Sequence, residues 1–422
     1  MGGGFVGITL TAKLLKTENV SVTVLESSKV KLNLFDLNYF EVNEPGLSEI
    51  LINSRSNNKL RFLNELSGEK FNAAFVSVGT THSVNDSESM NKIVDLSCKI
   101  SNCLSENGFL FIRSTVRIGT TDLINNQINE LSNSNVKVFF APERTAEGVA
   151  IEELDTLPQI LAASNDLNFE EAKNFLEVFG FQIVKSSTYR SAEFGKLISN
   201  AWRDTIFAIS NDIAEIAHSL NLDIYEILEV VNYNYPRAKI PKPGPVGGPC
   251  LSKDTHILFE TLSLSIKENS IIANSRIKNE KLYLFALEII ENRLKLNPSI
   301  TNLIFLGLSF KGKPKTNDIR ESFATKVIDL TRSNLPKIGI QIWDPSLTDL
   351  DFREYLKYKV EILETSTPKI IVVGNDGEIF DSPQVLSFFN QMNNDSFIID
   401  FWGITNKFDL DIEKIYLFGR GN

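Results

Sequence analysis

One cysteine of this chain lies where a nucleophilic thiol would be expected. Cys250 follows a Gly-Gly-Pro sequence in the segment PGPVGGPCLSKD (residues 243–254), with Lys253 and Asp254 close behind it. A cysteine that only fills a core normally lies on an apolar periodic face, whereas this one lies in a Gly- and Pro-rich loop leading into a predicted helix. Helix N-termini and nearby cations lower the pKa of a thiol and raise its thiolate fraction. The segment therefore predicts a reactive cysteine and covalent catalysis.

The remaining cysteines and the histidines predict no further chemistry. Cys98 and Cys103 lie in a helical pattern, as structural cysteines do, and we assign them no role. Three cysteines cannot all pair, and they do not form a disulfide framework, so we expect a reducing, cytoplasmic location. The three histidines are far apart in sequence, so we predict no metal site.

A second motif, at the start of the chain, predicts phosphate binding. Residues 2–7 read GGGFVG, which matches G-x-G-x-x-G, and a helical pattern follows from Ile8 to Lys16. Glycines in this pattern let a pyrophosphate approach a helix N-terminus, where the helix dipole favours anions. A plain Gly-rich turn is the alternative. The residues expected to contact the cofactor are Gly2, Gly4, Phe5, Val6 and Gly7.

Glu26 indicates which dinucleotide the motif would bind. It ends the next predicted strand, about 20 residues after the glycines, where an acidic residue binds a ribose hydroxyl. A carboxylate at this position would repel a 2′-phosphate, so the predicted cofactor is NAD and not NADP.

The motif should follow a strand, yet Met1 stands directly before the glycines. We therefore expect the first strand of the N-terminal sheet to be missing from this sequence. Its neighbours would then lack hydrogen-bond partners and a row of apolar side chains. Two explanations stay open: an incompletely recorded start, or a truncated chain with impaired cofactor binding.

The elements that must position these residues alternate between apolar runs and amphipathic stretches. Four runs in the first half are typical of buried parallel strands: 20–26, 71–78, 109–114 and 136–141. Amphipathic stretches such as 87–105 predict the helices between them. Similar strand runs return after Thr301 as NLIFLGLSF, IGIQIWD, KIIVVGN and SFIIDFWG. Repeated β-α units of this kind predict doubly wound sheets.

A helical region separates these two halves. Residues 191–220 contain no proline and keep a helical apolar period, and more helix is expected to about Asn292. A long helix in a linking domain is suited to form a dimer surface. The predicted fold is α/β, with two Rossmann-like doubly wound parallel-sheet domains joined by a helical domain with a long central helix. The expected domains are 1–188, 189–295 and 296–422.

Composition excludes other classes of protein. The chain has 422 residues, 42% of them hydrophobic, and a net charge of −10, which argues against a general nucleic-acid binder. No apolar run approaches the roughly 20 residues of a membrane span.

Several motifs together resemble the UDP-glucose/UDP-N-acetylhexosamine dehydrogenase family along nearly the whole chain. Their order and spacing carry the resemblance, more than any single piece. The matching pieces are GGGFVG (2–7), NEPGL (43–47), STVRIGTT (114–121), PERTAEG (142–148), KLISN (196–200), GGPCLSKD (247–254), FLGLSFKG (305–312), DIRES (318–322) and YLFGRG (416–421).

The resemblance implies a four-electron oxidation of the C6 alcohol of a UDP-sugar to a carboxylate. The first oxidation gives an aldehyde, which Cys250 would attack as a thiolate to form a thiohemiacetal. A second oxidation would give a thioester, which water hydrolyses. By the same resemblance, the product would serve the biosynthesis of a surface polysaccharide. From the long helix of the linking domain we expect a homodimer through the central helical domain.

The resemblance also implies roles for residues that would otherwise be unremarkable. Lys196 and Asn200, spaced i, i+4 on one helix face, would stabilise oxyanions at C6; a solvated pair is the alternative. Asp254 would act with a water and Thr115 in proton transfer. Glu147 would assist hydrolysis of the thioester, and Glu143 is a nearby acidic position for substrate.

Further positions match binding residues of the family. Lys311 and Arg320 match positions that bind the uridine diphosphate or bridge the site, and we place Arg320 on the cofactor side. A solvated surface charge is the alternative for both. The remaining expected binding residues are Thr80, Thr115 and Lys253 for the cofactor and Gly247 for the substrate. Thr81 stands where relatives usually carry a proline.

The substrate signals are mixed. GGPCLSKD and Glu147 resemble the UDP-glucose branch, whereas Arg144 and Arg203 resemble the UDP-N-acetylhexosamine branch and could donate to an acetamido carbonyl. An ion pair of Arg203 with Asp204 is the structural alternative. We favour a UDP-N-acetylhexosamine, with UDP-glucose as the alternative.

Two alternatives of other kinds stay open. One is a catalytically silent UDP-sugar-binding homologue, which only the missing strand supports. The other is a two-electron hydroxyacid-type dehydrogenase, which would need neither Cys250 nor a third domain.

Overall fold

The computed structural model describes residues 1–80, 86–131, 135–237, 239–260 and 262–421. The chain divides into two compact units. We call Met1–Ser199 with His256–Leu262 the N-terminal unit, and Asn200–Thr255 with Ser263–Asn422 the C-terminal unit. Thr81 lies outside the described residues. No helix in the described part of the chain is long and apolar enough to cross a lipid bilayer.

Strands and helices alternate along the described chain. The strands are β1 (Val22–Leu25), β2 (Leu60–Leu63), β3 (Phe71–Val76), β4 (Leu104–Ile112), β5 (Lys137–Phe140), β6 (Gln159–Ala163), β7 (Ile183–Ser186), β8 (Asn302–Leu306), β9 (Gly339–Trp343), β10 (Lys369–Val373), β11 (Phe397–Asp400) and β12 (Ile415–Leu417). The helices are α1 (Phe5–Leu15), α2 (Lys29–Asp36), α3 (Leu47–Ser56), α4 (Asp86–Ser101), α5 (Thr120–Leu131), α6 (Ala150–Thr156), α7 (Asp166–Glu177), α8 (Tyr189–Ser219), α9 (Ile224–Asn232), α10 (Leu251–Glu260), α11 (Leu264–Asn269), α12 (Ile271–Leu296), α13 (Phe323–Asn334), α14 (Asp349–Phe352) and α15 (Pro383–Gln391). The predicted α/β class is confirmed.

The main sheet of the N-terminal unit has the order β3-β4-β5-β6-β7. Its neighbours are parallel except for β5 and β6, which are antiparallel. The connection between those two strands contains only α6, with seven residues, or roughly 10 Å of helix. Such a short helix favours a return at the same end of the sheet, which gives an antiparallel neighbour.

The strands of the N-terminal unit form two separate sheets. β1 and β2 form a separate two-stranded sheet that is not hydrogen-bonded to β3. The start of the chain bridges the two sheets, with Gly2 N donating to Leu25 O at 2.9 Å and Ser77 N donating to Met1 O at 2.9 Å. Beside it is a cavity of about 600 Å³ lined by residues of β1 and β3. β1 and β3 are therefore bridged by the backbone of Met1 and Gly2 and are not paired with each other.

The sheet of the C-terminal unit is entirely parallel, in the order β12-β11-β10-β8-β9. Its core joins residues of β8, β10 and α13 to residues of α8 and α12, including Ala214, Leu282 and Phe305. The long central helix is confirmed as α8, with 31 residues.

Two predicted helical stretches differ from the structure: one ends early and the other is interrupted. α4 ends at Ser101 and β4 already begins at Leu104, because a tight turn closes with Cys103 N donating to Ile100 O at 2.9 Å. The helical region also breaks between α9 and α10, where prolines 236, 241, 243, 245 and 249 remove backbone donors.

Candidate active site

The glycine motif forms a turn that opens directly into α1. Gly4 is the N-cap of this helix, with no side-chain cap, and no acidic residue lies in the first turn. A Cβ atom on Gly7 would lie 1.8 Å from the carbonyl oxygen of Gly2, so only glycine fits there. The space beside Gly4 is open. An uncapped helix N-terminus beside such a turn is suited to a pyrophosphate, so these residues fit NAD.

Glu26 connects this turn to the end of β1. It is buried, and its carboxylate accepts from Gly3 N at 2.8 Å and from Ser28 N at 2.8 Å. The predicted acidic residue therefore lies against the glycine turn.

The loops that carry Thr80 and Thr115 meet at the carboxyl ends of β3 and β4. Ser114 links them, since its Oγ donates to Val78 O at 2.7 Å and its N donates to Val76 O at 3.0 Å. Thr80 is buried and Thr115 half-buried. In open α/β sheets ligands bind at this edge, which is where the cofactor-side residues were expected.

Glu193, on α8, holds the far end of the Thr115 loop. Its side chain is fully buried. It accepts from Gly119 N at 2.6 Å, from Thr121 N at 2.8 Å and from Thr121 Oγ1 at 2.7 Å. Burial raises the pKa of Glu193 above its ordinary value, although these hydrogen bonds oppose the shift. Glu193 thereby satisfies amides at the start of α5.

Glu143 lies inside the N-terminal unit, paired with Arg113. Both side chains are almost fully buried. The Glu143 carboxylate also accepts from Arg144 N at 2.7 Å and Thr145 N at 2.9 Å, and Arg113 donates to Gln159 Oε1 at 2.8 Å. Burial favours the neutral acid, but the Arg113 charge and these amides hold the pKa of Glu143 below its ordinary value.

Glu147 follows in the same loop and is half-buried. The backbone around it is held by Glu44, a buried residue whose carboxylate accepts from Gly148 N and from Ala150 N, the latter at 2.8 Å. Arg144 is exposed, and its guanidinium donates to the carbonyl of Pro158. Glu44 belongs to the NEPGL motif, but no sequence pattern indicated that it would bind this loop.

Three predicted catalytic residues lie on α8 and α10. Lys196 and Asn200 are buried on α8, one turn apart. Asn200 Nδ2 donates to Asp254 Oδ2 at 2.7 Å, and Lys253 Nζ lies 3.2 Å from Asp254 Oδ1. Asp254 is only 1% exposed. Asn200, Lys253 and Asp254 thus form one cluster of the C-terminal unit.

Cys250 stands immediately before the first residue of α10. Its carbonyl accepts the helical hydrogen bond from Asp254 N at 2.9 Å, and the residue is exposed and free of disulfides. The thiol is therefore accessible at a helix N-terminus, an environment that favours the thiolate. Among the described residues, no cluster of three or more metal-binding side chains occurs.

Two glycines let the cysteine loop approach another segment of the C-terminal unit. A Cβ atom on Gly247 would lie 2.7 Å from Glu321 O, and one on Gly248 would lie 2.7 Å from the ring of Phe310. Gly248 has a φ of +89°, a further reason for glycine. The GGPC, FLGLSFKG and DIRES motifs are therefore in direct contact.

Lys311 and Arg320 lie in that same part of the C-terminal unit. Lys311 lines a small cavity of about 80 Å³, together with Ser309, Lys315 and Asn375, among others. Arg320 is exposed, and its Nε donates to both Asp318 oxygens at 2.9 and 2.8 Å. The cavity lies beyond β8 and β10 at the carboxyl edge of the sheet, which suits a ligand.

Arg203 is exposed on α8, whereas its neighbour Asp204 is fully buried. Asp204 forms a buried ion pair with Arg276 at 2.9 Å. Arg203 therefore presents its side chain to solvent, whereas Asp204 points into the interior and pairs with Arg276.

Comparison with known proteins places these motifs in one family. Models of the UDP-glucose/GDP-mannose dehydrogenase family match the chain over its NAD-binding domain (residues 1–179), its central domain (residues 190–281) and its UDP-binding domain (residues 304–407).

Similar proteins cover most of the chain. UDP-N-acetyl-D-mannosamine dehydrogenase of Methanocaldococcus jannaschii is 26% identical over 100% of this chain and 96% of its own length. UDP-glucose 6-dehydrogenase of Bacillus subtilis is 30% identical over 82% of this chain and 78% of its own.

A solved structure shares the fold. The UDP-N-acetylmannosamine dehydrogenase of Pyrococcus horikoshii has a TM-score of 0.83 at 24% identity and covers 99% of this chain, with 98% of its own length matched. The glycine turn and the accessible cysteine agree with three domain models that match in sequence order. The chain therefore belongs to the UDP-glucose/GDP-mannose dehydrogenase family of NAD-dependent nucleotide-sugar oxidoreductases.

Proposed function

We propose that this enzyme oxidises the C6 alcohol of a UDP-sugar to a carboxylate in two successive steps, with Cys250 as a covalent nucleophile. The observation that carries the proposal is the placement of Cys250, an exposed thiol at the N-terminus of α10. Asp254, one turn further along the same helix, is bound by Asn200 and Lys253. A cysteine with a merely structural role would not need this setting.

The residues that would hold NAD are Gly2, Gly4, Phe5, Val6, Gly7, Glu26, Thr80, Thr115, Lys253 and Arg320. The bound cofactor would supply the hydride acceptor for each oxidation. Removal of the C6 alcohol proton leaves a developing oxyanion. Lys196 and Asn200 stabilise that charge by donating hydrogen bonds. Asp254, acting with a water and Thr115, takes up the proton.

Cys250 retains the intermediate between the two oxidations. Its Sγ, as a thiolate, forms a bond to the aldehyde carbon while the carbonyl π bond breaks. The carbonyl oxygen takes the proton released in the first oxidation and becomes the hydroxyl of a thiohemiacetal. After the second oxidation the same carbon is a thioester. Water, assisted by Glu147, then adds to it, and the C–S bond breaks to give the uronate and a free thiol. The two oxidations remove four electrons from the sugar, which two NAD molecules would accept.

The UDP moiety is assigned to the C-terminal domain. Lys311 lines the small cavity at the carboxyl edge of that sheet, and a lysine is a suitable phosphate ligand. Gly247 gives the cysteine loop a close approach to Phe310. We propose the domain bounds 1–188, 189–295 and 296–422 for the NAD-binding, central helical and UDP-sugar-binding domains.

We propose a UDP-N-acetylhexosamine as substrate. The relative from M. jannaschii is named for UDP-N-acetyl-D-mannosamine, and Arg144 and Arg203 are both exposed, so either guanidinium is available to an acetamido carbonyl. Glu143 supports this region by binding the Arg144 amide. UDP-glucose is the alternative, since the B. subtilis relative is a UDP-glucose 6-dehydrogenase.

We also propose a homodimer formed through α8 and a cytoplasmic location. Trp202, Ile209 and Ile216 recur every seven residues on α8 and are about half exposed or more, which makes an apolar stripe along one helix face. A reducing compartment keeps the catalytic thiol free. The product is proposed to serve surface-polysaccharide synthesis.

Trapping of the covalent intermediate tests this function. The protein is mixed with NAD and each UDP-sugar in turn, quenched in acid and measured by intact mass spectrometry. A UDP-hexose-sized adduct that peptide mapping places on Cys250 is expected with the true substrate. It should be absent from Cys250→Ser and retained by Cys98→Ser. An adduct that survives Cys250→Ser would contradict the proposal.

A further inference from the structure

A buried asparagine on α8 binds the backbone of the loop that leads to Cys250. Asn211 is fully buried. Its Nδ2 donates to Gly244 O at 3.1 Å, and its Oδ1 accepts from Gly244 N at 2.8 Å. The side-chain amide thus pairs with both polar groups of one residue, as a neighbouring strand would.

The orientation of this amide is set by a second asparagine. Asn211 Nδ2 also donates to Asn279 Oδ1 at 2.9 Å, and Asn279 Nδ2 donates to Asp204 Oδ1 at 2.7 Å. Arg276 then pairs with Asp204 at 2.9 Å. The amide nitrogens of both asparagines meet acceptors, and a flipped amide at either asparagine would oppose two oxygens. This buried chain therefore has one favoured arrangement.

The cysteine loop depends on such support from other elements. Pro243, Pro245 and Pro249 lack backbone donors. The anchored positions alternate: Gly244 pairs with Asn211, Val246 O accepts from Tyr283 Oη at 2.8 Å, and Gly248 N donates to Glu321 O at 3.2 Å. Residues of other elements therefore bind the backbone of this stretch at Gly244, Val246 and Gly248.

We infer that Asn211 is a positioning residue for the nucleophile, acting through Gly244 on the loop that ends at Cys250. This inference rests on the proposed function, because it assumes that the placement of the thiol limits catalysis. A displacement of about 1 Å at a reacting group can cost on the order of 100-fold in rate without loss of substrate binding. The side chain of Asn211 need not touch substrate to have this effect.

Asn211→Asp is the main test because it keeps the size and the acceptor for Gly244 N. It places an oxygen where Nδ2 donated to Gly244 O and Asn279 Oδ1. Tyr283→Phe is the milder second variant, since it removes only the hydroxyl that binds Val246. Asp212→Asn is the matched control: it lies next to Asn211 on the same helix but at the surface, paired with Lys278.

Two measurements on folded protein separate positioning from general damage. The first is the rate of Cys250 alkylation by iodoacetamide without substrate, with Cys98 and Cys103 as internal references. The second is the separate determination of kcat and KM for the UDP-sugar. For Asn211→Asp we expect kcat to fall about 10- to 100-fold with KM within about threefold, and a changed alkylation rate at Cys250 alone. Tyr283→Phe should change kcat and the Cys250 alkylation rate in the same direction but by less. Asp212→Asn should change neither kcat nor the alkylation rate.

Wild-type alkylation and kcat in folded Asn211→Asp would overturn the inference. If that variant does not fold, the same result in Tyr283→Phe would overturn it. A failure of the proposed function gives a different result: Cys250→Ser would keep full turnover. Even if Cys250→Ser keeps full turnover, a changed rate of Cys250 alkylation in Asn211→Asp and Tyr283→Phe would still support the positioning of Cys250 by these residues.

Discussion

At the scale of single residues, several carboxylates of the N-terminal unit bind the backbone amides of loops. Glu44 binds the loop after Glu147, Glu143 binds the loop before it, and Glu193 binds the loop after Thr115. Each is buried. These side chains hold in place the loops that carry the predicted catalytic groups.

The ion pair between Arg113 and Glu143 should contribute far more to the unfolding free energy than surface ion pairs do. Arg113→Met leaves the Glu143 carboxylate buried without its counter-charge, and breaking a buried pair in this way costs about 3–5 kcal/mol of unfolding free energy. Denaturant unfolding at neutral pH measures the loss. Lys173→Met, which removes an exposed pair with Glu170, is the control and should change stability little. Equal effects of the two variants would contradict this assignment.

Glu143 should also contribute to acid sensitivity. Its pKa in the folded protein is below the ordinary 4.5, through Arg113 and two amides that outweigh burial. As pH falls below about 4.5, the unfolded chain takes up a proton that the folded chain does not, so this contribution to stability is lost. Glu143→Gln should therefore show a shallower fall of unfolding free energy with pH in the acid range. Parallel curves for the two proteins would show that Glu143 does not titrate in this way.

At the scale of elements, the sequence predicts best what depends on local pattern. The apolar periods gave the long helix and the main strands, and the Gly/Pro composition placed Cys250 at the start of a helix. The antiparallel β6 was not predicted, because strand direction depends on the path of the connection and not on the strand's own residues. Nor was the contact of Asn211 with Gly244, since a helical asparagine gives no sign of a partner 33 residues away.

Substitution of Glu193 tests how α8 is joined to the start of α5. Glu193→Ala leaves the amides of Gly119 and Thr121 without their acceptor at the buried start of α5. Unsatisfied groups of this kind cost about 1–3 kcal/mol. We expect a loss of unfolding free energy in that range and slower turnover, since the same loop carries Thr115. Glu130 is exposed near the end of α5, so Glu130→Ala should change neither the unfolding free energy nor the turnover. Unchanged stability in Glu193→Ala would show that other groups replace the carboxylate.

At the scale of the whole molecule, the predicted catalytic residues are divided between two units. The N-terminal unit carries Thr115, Glu147 and Lys196, and the C-terminal unit carries Asn200, Cys250 and Asp254. The cavity beside β1 and β3 is in the N-terminal unit.

The proposed dimer can be tested on the exposed stripe of α8. Ile209→Glu places a charge in the middle of the apolar surface formed by Trp202, Ile209 and Ile216. Light scattering after size exclusion should give twice the chain mass for the wild type and the mass of one chain for the variant. Leu386→Glu, an exposed apolar position on α15, is the control and should remain dimeric. A wild type with the mass of one chain would contradict the dimer.

The most direct measurement of the central claim is the number of NADH molecules formed per UDP-sugar consumed. The panel is UDP-glucose and the UDP-N-acetyl derivatives of glucosamine, galactosamine and mannosamine, with Cys250→Ser measured in parallel. We predict two NADH per sugar for one N-acetylated member, and loss of this stoichiometry in the variant. One NADH per sugar, unaffected by Cys250→Ser, would contradict covalent catalysis. UDP-sugar binding without turnover would support the silent homologue.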